Sequence, residues 1–188
     1  MTQSNLSLMY ASNLQAYFQQ ELRRMISSLG EETSEAAEAY VVYLLDEYTK
    51  PSDAQRAQLG FDRAAALMLH DAVCSPGDQS IEAYRQLGDA CLYHCGLFER
   101  QLTRRELKSA YYKDMGKEAY ARLGHIFSNR PTDHAFGSIF KELSVQFELF
   151  VEALKALAAQ WHGEGWVAFD FDEQVEFAMA QQLFYIKK

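Results

Sequence analysis

The sequence predicts an all-α protein, a single helical bundle of six or seven helices in one domain spanning residues 1–188. Three observations predict it. Apolar residues recur at three- and four-residue steps along most of the chain. Only three prolines and ten glycines occur, few for a β-rich chain with many turns. Alanine, leucine, glutamate and glutamine, which favour helices, are abundant.

Turn and capping signals divide the first half of the chain into three helices. The first covers about residues 13–28, and Gly30 ends it. A second follows the acidic stretch EETSE, whose carboxylates suit a helix N-terminus, and runs to about Tyr48. A third begins with a capping-box pattern at Ser52, and the turn that follows it starts at Pro76.

The second half of the chain holds longer helices. The fourth spans about residues 81–98, and the fifth runs from a capping box at Thr103 to about Phe127. The sixth is predicted as a long central helix over about 132–160, because its apolar residues alternate steps of four and three. The segment 164–188 ends in an apolar helix, which either docks on the bundle or forms a dimer contact.

Charge, hydropathy and cysteine content exclude several classes of protein. The net charge of −8 argues against general nucleic-acid binding, which needs a basic surface. No apolar run is long enough for a membrane span, and the N-terminal residues lack the pattern of a signal peptide. Three cysteines at no framework spacing predict reduced thiols. We therefore expect a cytoplasmic protein with no membrane contact.

The stretch CLYHC contains residue types that bind metals. On a helical wheel, Cys91, His94 and Cys95 share the apolar face of the fourth helix. Their order differs from the Cys-x-x-Cys-His motif that attaches haem. The other such pair, His70 and Cys74, would be offset by roughly 12 Å along an antiparallel neighbour. We therefore expect core residues, with no metal and no cofactor.

No catalytic motif accompanies the helices. The chain has no Glu-x-x-His pair for a di-iron site, no phosphate-binding loop and no nucleophile elbow. On the fourth helix, Glu82, Arg85, Gln86 and Asp89 are expected on the solvent face. The sequence thus predicts a non-catalytic binding protein of regulatory or adaptor type, which acts through protein–protein contacts.

Basic residues are concentrated in one region. Between Arg100 and Arg130, eight basic residues accompany three acidic ones, although the whole chain is acidic. Arg100, Arg104 and Arg105 are therefore candidates to contact an acidic protein partner or a phosphate. The alternative is an ordinary solvated helix whose charges pair along its own surface.

Four glycines of the fourth and fifth helices carry a second hypothesis. Glycine costs about 1 kcal/mol in a helix interior, so these four indicate close approach of another helix or of a ligand. They are Gly88, Gly96, Gly116 and Gly124. Haem-oxygenase-like bundles place such helices beside a tetrapyrrole. The alternative function is therefore a cofactor or small-molecule pocket near His94, Tyr111 and Tyr112, although helix packing is the favoured explanation.

Two segments, YRQLGDACLYHCGLFE and AYYKDMGKEAYARL, resemble a pattern of certain all-helical bacterial proteins. That pattern consists of Leu-Gly-Asp, Tyr-Tyr, Met-Gly and Ala-Tyr in this order, and the likeness covers about residues 84–123. Leu97 replaces the first aromatic residue of the Gly-Phe-Phe-like turn. The function of that group is unknown, so the resemblance implies a bacterial cytoplasmic protein and no particular site.

Overall fold

The computed structural model describes residues 3–49, 64–99, 109–130 and 133–163, and within these ranges every regular element is a helix. The all-α helical bundle is therefore confirmed. Its seven described helices are α1 (Gln3–Ser28), α2 (Glu35–Thr49), α3 (Ala65–Cys74), α4 (Gly77–Leu97), α5 (Ser109–Ser128), α6 (His134–Val145) and α7 (Phe147–Gly163).

Two helices begin earlier than the sequence predicts. Helix α1 already begins at Gln3, and α4 begins at Gly77 directly after the extended residue Pro76. Gly77 has a φ of 55°, a conformation that glycine adopts without steric cost. The predicted starts of the third helix at Ser52 and of the fifth at Thr103 lie outside the described residues, as does the segment 164–188.

Helix α4 lies at the centre of the bundle, with α3, α5 and α7 packed around it. It is antiparallel to α3, and the Ser80 hydroxyl donates to the Ala72 carbonyl oxygen across their turn at 2.6 Å. Because neighbours cover it on several sides, every residue of α4 from Leu87 to Tyr93 is buried. A polar side chain in this stretch therefore lies inside the protein.

The glycines of α4 and α5 lie at close helix–helix contacts, as expected. A Cβ atom on Gly88 would lie 2.6 Å from Cε1 of Tyr120, and one on Gly96 would lie 2.5 Å from Cβ of Leu154. At Gly124 it would lie 3.1 Å from the backbone nitrogen of Lys141 on α6. Since other helices fill these spaces, helix packing explains the glycines.

The predicted long helix over about 132–160 is present as two consecutive helices, α6 and α7, which meet at Gln146. This residue has φ −98° and ψ 21°, and its side-chain amide donates to the Glu32 carbonyl oxygen at 3.2 Å. The same apolar stripe continues on both sides of the break, through buried Leu143 and Phe147. The break allows α6 to pack on α5, whereas α7 packs on α4 and α1.

The hairpin of α1 and α2 contacts the C-terminal half of the bundle. The Ser34 hydroxyl caps α2 by accepting a hydrogen bond from the Ala37 amide at 3.1 Å. The Ser34 amide in turn donates to the Glu142 carboxylate of α6 at 2.6 Å. Helix α1 packs on α7, where Arg24 is hydrogen-bonded to Gln160. The first and last described helices are thus in contact.

Candidate functional site around Asp89

Asp89, in the middle of α4, is a buried carboxylate on which three helices converge. The residue is 3% exposed. Its Oδ1 accepts hydrogen bonds from the Tyr40 hydroxyl of α2 at 2.7 Å and the Tyr120 hydroxyl of α5 at 2.8 Å. Its Oδ2 accepts one from Nη1 of Arg85 at 3.2 Å. Side chains from α2, α4 and α5 therefore meet at one acid.

The prediction that Asp89 lies on the solvent face of its helix is wrong. Glu82, one of the residues grouped with it, is exposed, and Arg85 and Gln86 are half-buried. A helical wheel assumes one wet face, but the middle of α4 is enclosed by α3, α5 and α7. The signal that could have located Asp89 is its neighbour Gly88, which marks close approach of another helix.

Arg85 divides its hydrogen bonds and charge among three carboxylates. Besides Asp89, it donates to Glu82 on its own helix at 2.8 and 3.0 Å. Glu47 of α2 lies 4.0 Å from its Nη1. The side chains of Asp89, Glu47 and Glu82 are 4%, 30% and 51% exposed, respectively. When all are ionised the cluster is negative, and Asp89 is its most buried member.

Burial dominates the ionisation of Asp89. It raises the pKa of this carboxyl to about 6, although Arg85 and the hydroxyls of Tyr40 and Tyr120 act in the opposite direction. The hydrogen bond to Glu82 holds the pKa of Arg85 above its ordinary value. Asp89 therefore changes its protonation state near pH 6, while Arg85 stays charged.

An aromatic ring of α6 packs against the rings of both tyrosines. The ring centroid of Phe140 on α6 lies 5.2 Å from that of Tyr40 and 5.8 Å from that of Tyr120. Gly88 leaves the space in which the Tyr120 ring lies against α4. The low-polarity surroundings strengthen each hydrogen bond to Asp89 and make an unpaired hydroxyl costly.

The cysteines of CLYHC are core residues, as predicted. Cys91 and Cys95 are buried, and desolvation raises the pKa of the Cys91 thiol and that of Cys95, the latter to about 11. His94 is half-buried, with its ring centroid 6.2 Å from that of Phe98. Among the described residues, no group of three or more histidine, cysteine or acidic side chains is placed to hold a metal ion.

The other predicted site residues are placed as follows. Tyr112 is buried and Tyr111 is 41% exposed. Because α4 and α5 are antiparallel, with Gly88 against Tyr120, His94 lies within about one helical turn of both tyrosines along the helix axes. Arg100, Arg104 and Arg105 lie outside the described residues.

Helix α3 exposes two large apolar side chains on its outer face, a feature that sequence reasoning missed. The face toward α4 is formed by buried Ala65, Met68 and Ala72. On the outer face, Leu67 is 58% exposed and Val73 is 64% exposed. The signal was present in AALMLHDAVC, where apolar residues occupy more positions than one buried face needs, although the exposed His70 and the partly exposed Asp71 lie among them.

No protein-family model, curated protein or solved structure matches this chain. The resemblance to all-helical bacterial proteins stays a prediction. In the described ranges, no helix has both the length and the apolar character needed to cross a membrane. The functional argument therefore depends on the geometry of the site and on the exposed surface.

Proposed function

We propose that this protein is a non-catalytic, cytoplasmic binding protein of regulatory or adaptor type, which acts through protein–protein contacts. The observation that carries the proposal is the outer face of α3, where Leu67 and Val73 are exposed. Exposed clusters of apolar side chains mark interaction surfaces. The partner fitted to this face presents an apolar surface of its own.

The interior supports a role as a scaffold. The hydroxyls of half-buried Tyr40 and buried Tyr120 both donate hydrogen bonds to buried Asp89. Another buried acid, Glu38 of α2, accepts hydrogen bonds from Arg23 at 2.9 Å and from the Thr33 hydroxyl at 2.9 Å. These contacts join α1, α2, α4 and α5, and α4 is the helix on which α3 packs. Arg100, Arg104 and Arg105 remain the proposed contact for an acidic region of the same partner.

The test compares charged variants of two exposed apolar surfaces. Leu67→Glu combined with Val73→Glu introduces charge on α3, and Val145→Glu is the matched control, because Val145 of α6 is 79% exposed. Tagged proteins are used to capture partners from cells of the source organism, with quantitative mass spectrometry. The interaction is then remeasured with purified components, and circular dichroism verifies the fold of each variant.

We expect the double variant to weaken binding at least about tenfold, which corresponds to the loss of about 1.4 kcal/mol of contact energy. The Val145→Glu control should bind like the wild type. A partner that binds the α3 variant equally well would contradict the use of this surface. The absence of any protein that binds the purified wild type would contradict the proposed function.

The second candidate is a cofactor or small-molecule protein with its pocket near His94. It is favoured by the half-buried His94 ring beside the ring of Phe98, level with Tyr111 and Tyr112. Native mass spectrometry of the purified protein reports bound mass and oligomeric state together. Extra mass that is lost in His94→Ala but kept in His134→Ala, whose histidine is exposed on α6, would replace the adaptor proposal. A bare chain or dimer would contradict the pocket.

A further inference from the structure

We propose that Asp89 is a proton-operated latch, in which uptake of a proton by its carboxylate tightens the docking of α2 onto α4 and α5. Helix α2 packs mainly against α1 and α6. Its described polar links to α4 are the hydrogen bond from Tyr40 to Asp89 and the approach of Glu47 to Arg85 at 4.0 Å. Both links belong to the Asp89 cluster, so a change in its charge acts directly on α2.

Charged and titratable groups face the cluster from three helices. Helix α2 supplies Tyr40, Tyr43 and Glu47, α4 supplies Glu82 and Arg85, α5 supplies Tyr120, and α6 supplies the apolar ring of Phe140. Arg85 is the cation shared by the three carboxylates. An ionised Asp89 thus competes for one guanidinium with two acids that have better access to water. Protonation of Asp89 removes this competition.

The geometry indicates where the proton binds. Oδ1 already accepts two hydroxyl protons, from Tyr40 and Tyr120. Oδ2 accepts only a longer hydrogen bond from Arg85 among the described contacts, and it is the oxygen that takes a proton from solvent. Arg85 is then left with Glu82 of its own helix and Glu47 of α2. The tyrosine bond is retained in a weaker form, because a neutral acid is a poorer acceptor than a carboxylate, and a closer pair between Arg85 and Glu47 adds a second link from α2 to α4.

The direction of the effect follows from proton linkage. The pKa of Asp89 is about 6 in the docked state, against an ordinary value of 3.8 when the carboxyl is hydrated. Between pH 3.8 and pH 6, docking of α2 is therefore accompanied by proton uptake at Asp89. Docking is strengthened as the pH falls through 6. The equilibrium constant for release of α2 should be smaller at pH 5.0 than at pH 7.5 by up to about tenfold, the limit in which release of α2 fully hydrates the carboxyl.

The experiment measures hydrogen exchange of the α2 backbone amides in the full chain at the two pH values. Protection factors, which correct for the intrinsic pH dependence of exchange, are compared for the wild type, Asp89→Asn and Glu38→Gln. Glu38 is the matched control because it is a buried acid of α2 outside the cluster. We expect greater protection at pH 5.0, by up to about tenfold, in the wild type and in Glu38→Gln, and no change in Asp89→Asn.

Three results would overturn the latch. Protection of α2 could be the same at both pH values in the wild type, or the pH effect could persist in Asp89→Asn. The α2 amides could also exchange no faster than the slowest amides of α7, in which case α2 has no separate opening.

A direct titration keeps the proposal testable if Asp89→Asn does not fold. The ¹³C signal of the Asp89 carboxyl in the wild type should titrate with a midpoint above about 5. Tyr40→Phe should raise that midpoint, because it removes a donor that stabilises the carboxylate, whereas Tyr43→Phe, which removes a hydroxyl with no described bond to Asp89, should leave it nearly unchanged. A wild-type midpoint below about 5 would overturn the latch.

Discussion

The close contact between Gly88 and Tyr120 predicts that Gly88→Ala destabilises the wild-type protein but stabilises a variant that lacks the Tyr120 ring. Alanine is favoured over glycine in a helix interior by about 1 kcal/mol. At this position, however, the new Cβ would lie 2.6 Å from Cε1 of Tyr120. The Tyr120 ring is fully buried and packs against Phe140, with centroids 5.8 Å apart, so it has little room to move. Gly88→Ala should therefore destabilise the protein.

The expected loss has two parts. Overpacking of a buried site costs about 1–3 kcal/mol. Displacement of the Tyr120 hydroxyl from Asp89 adds about 1.5–3 kcal/mol, because the acceptor is a buried acid. After the gain in helix propensity is subtracted, Gly88→Ala should lower the free energy of unfolding by about 1.5–5 kcal/mol. In a Tyr120→Ala background the clash is absent, and Gly88→Ala should raise the free energy of unfolding by up to about 1 kcal/mol.

The free energies of unfolding of the four proteins in this double-mutant cycle are measured by urea denaturation, followed by circular dichroism. They are compared with one common dependence on urea concentration (m-value). If Tyr120→Ala is too unstable for a native baseline, all four are measured in the same concentration of a stabilising osmolyte. A Gly88→Ala protein as stable as the wild type would refute the steric argument. The same destabilisation in both backgrounds would refute the assignment of the clash to Tyr120.

Two further predictions concern the thiols and the cap of α2. Cys74 is exposed, whereas Cys91 and Cys95 are buried with raised thiol pKa values. A thiol reagent at pH 8 should therefore modify Cys74 rapidly and the other two cysteines only on unfolding. Rapid labelling of all three cysteines, counted by mass spectrometry, would contradict the burial of Cys91 and Cys95. Glu142→Ala removes the acceptor for the Ser34 amide and should lower the free energy of unfolding by about 1 kcal/mol, with Glu142→Gln losing less, as measured by urea denaturation. Equal losses in both variants would show that the hydrogen bond does not contribute.

The sequence predicts the helices well because apolar residues recur at three- and four-residue steps wherever one face of a helix is buried. It also predicts the close contacts at Gly88, Gly96 and Gly124, since glycine in a helix interior needs a compensating reason. The break at Gln146 was not predictable, because the same apolar stripe runs through both α6 and α7. A stripe shows which side of a helix is buried, but it does not show which partner covers each part.

Asp89 escaped prediction for a related reason. A carboxylate beside Arg85 normally indicates a solvated ion pair along a helix surface. Its burial depends on α2 and α5, whose residues Tyr40 and Tyr120 are 49 and 31 positions away in sequence. Local pattern carries no information about such distant donors. The exposed apolar residues of α3 were missed because a predominantly apolar sequence is normally interpreted as core.

The contacts of the N-terminal hairpin have a consequence for folding during synthesis. The bond from Ser34 to Glu142 joins residues 108 positions apart, and that from Arg24 to Gln160 joins residues 136 apart. By contrast, α4, α5 and α6 pack against their neighbours in sequence. On a ribosome that adds about 5–20 residues per second, α1 and α2 wait on the order of 5–25 seconds for α6 and α7. During that interval the side of α1 that packs on α7 is exposed to water, and molecular chaperones have their best opportunity to bind the nascent chain there.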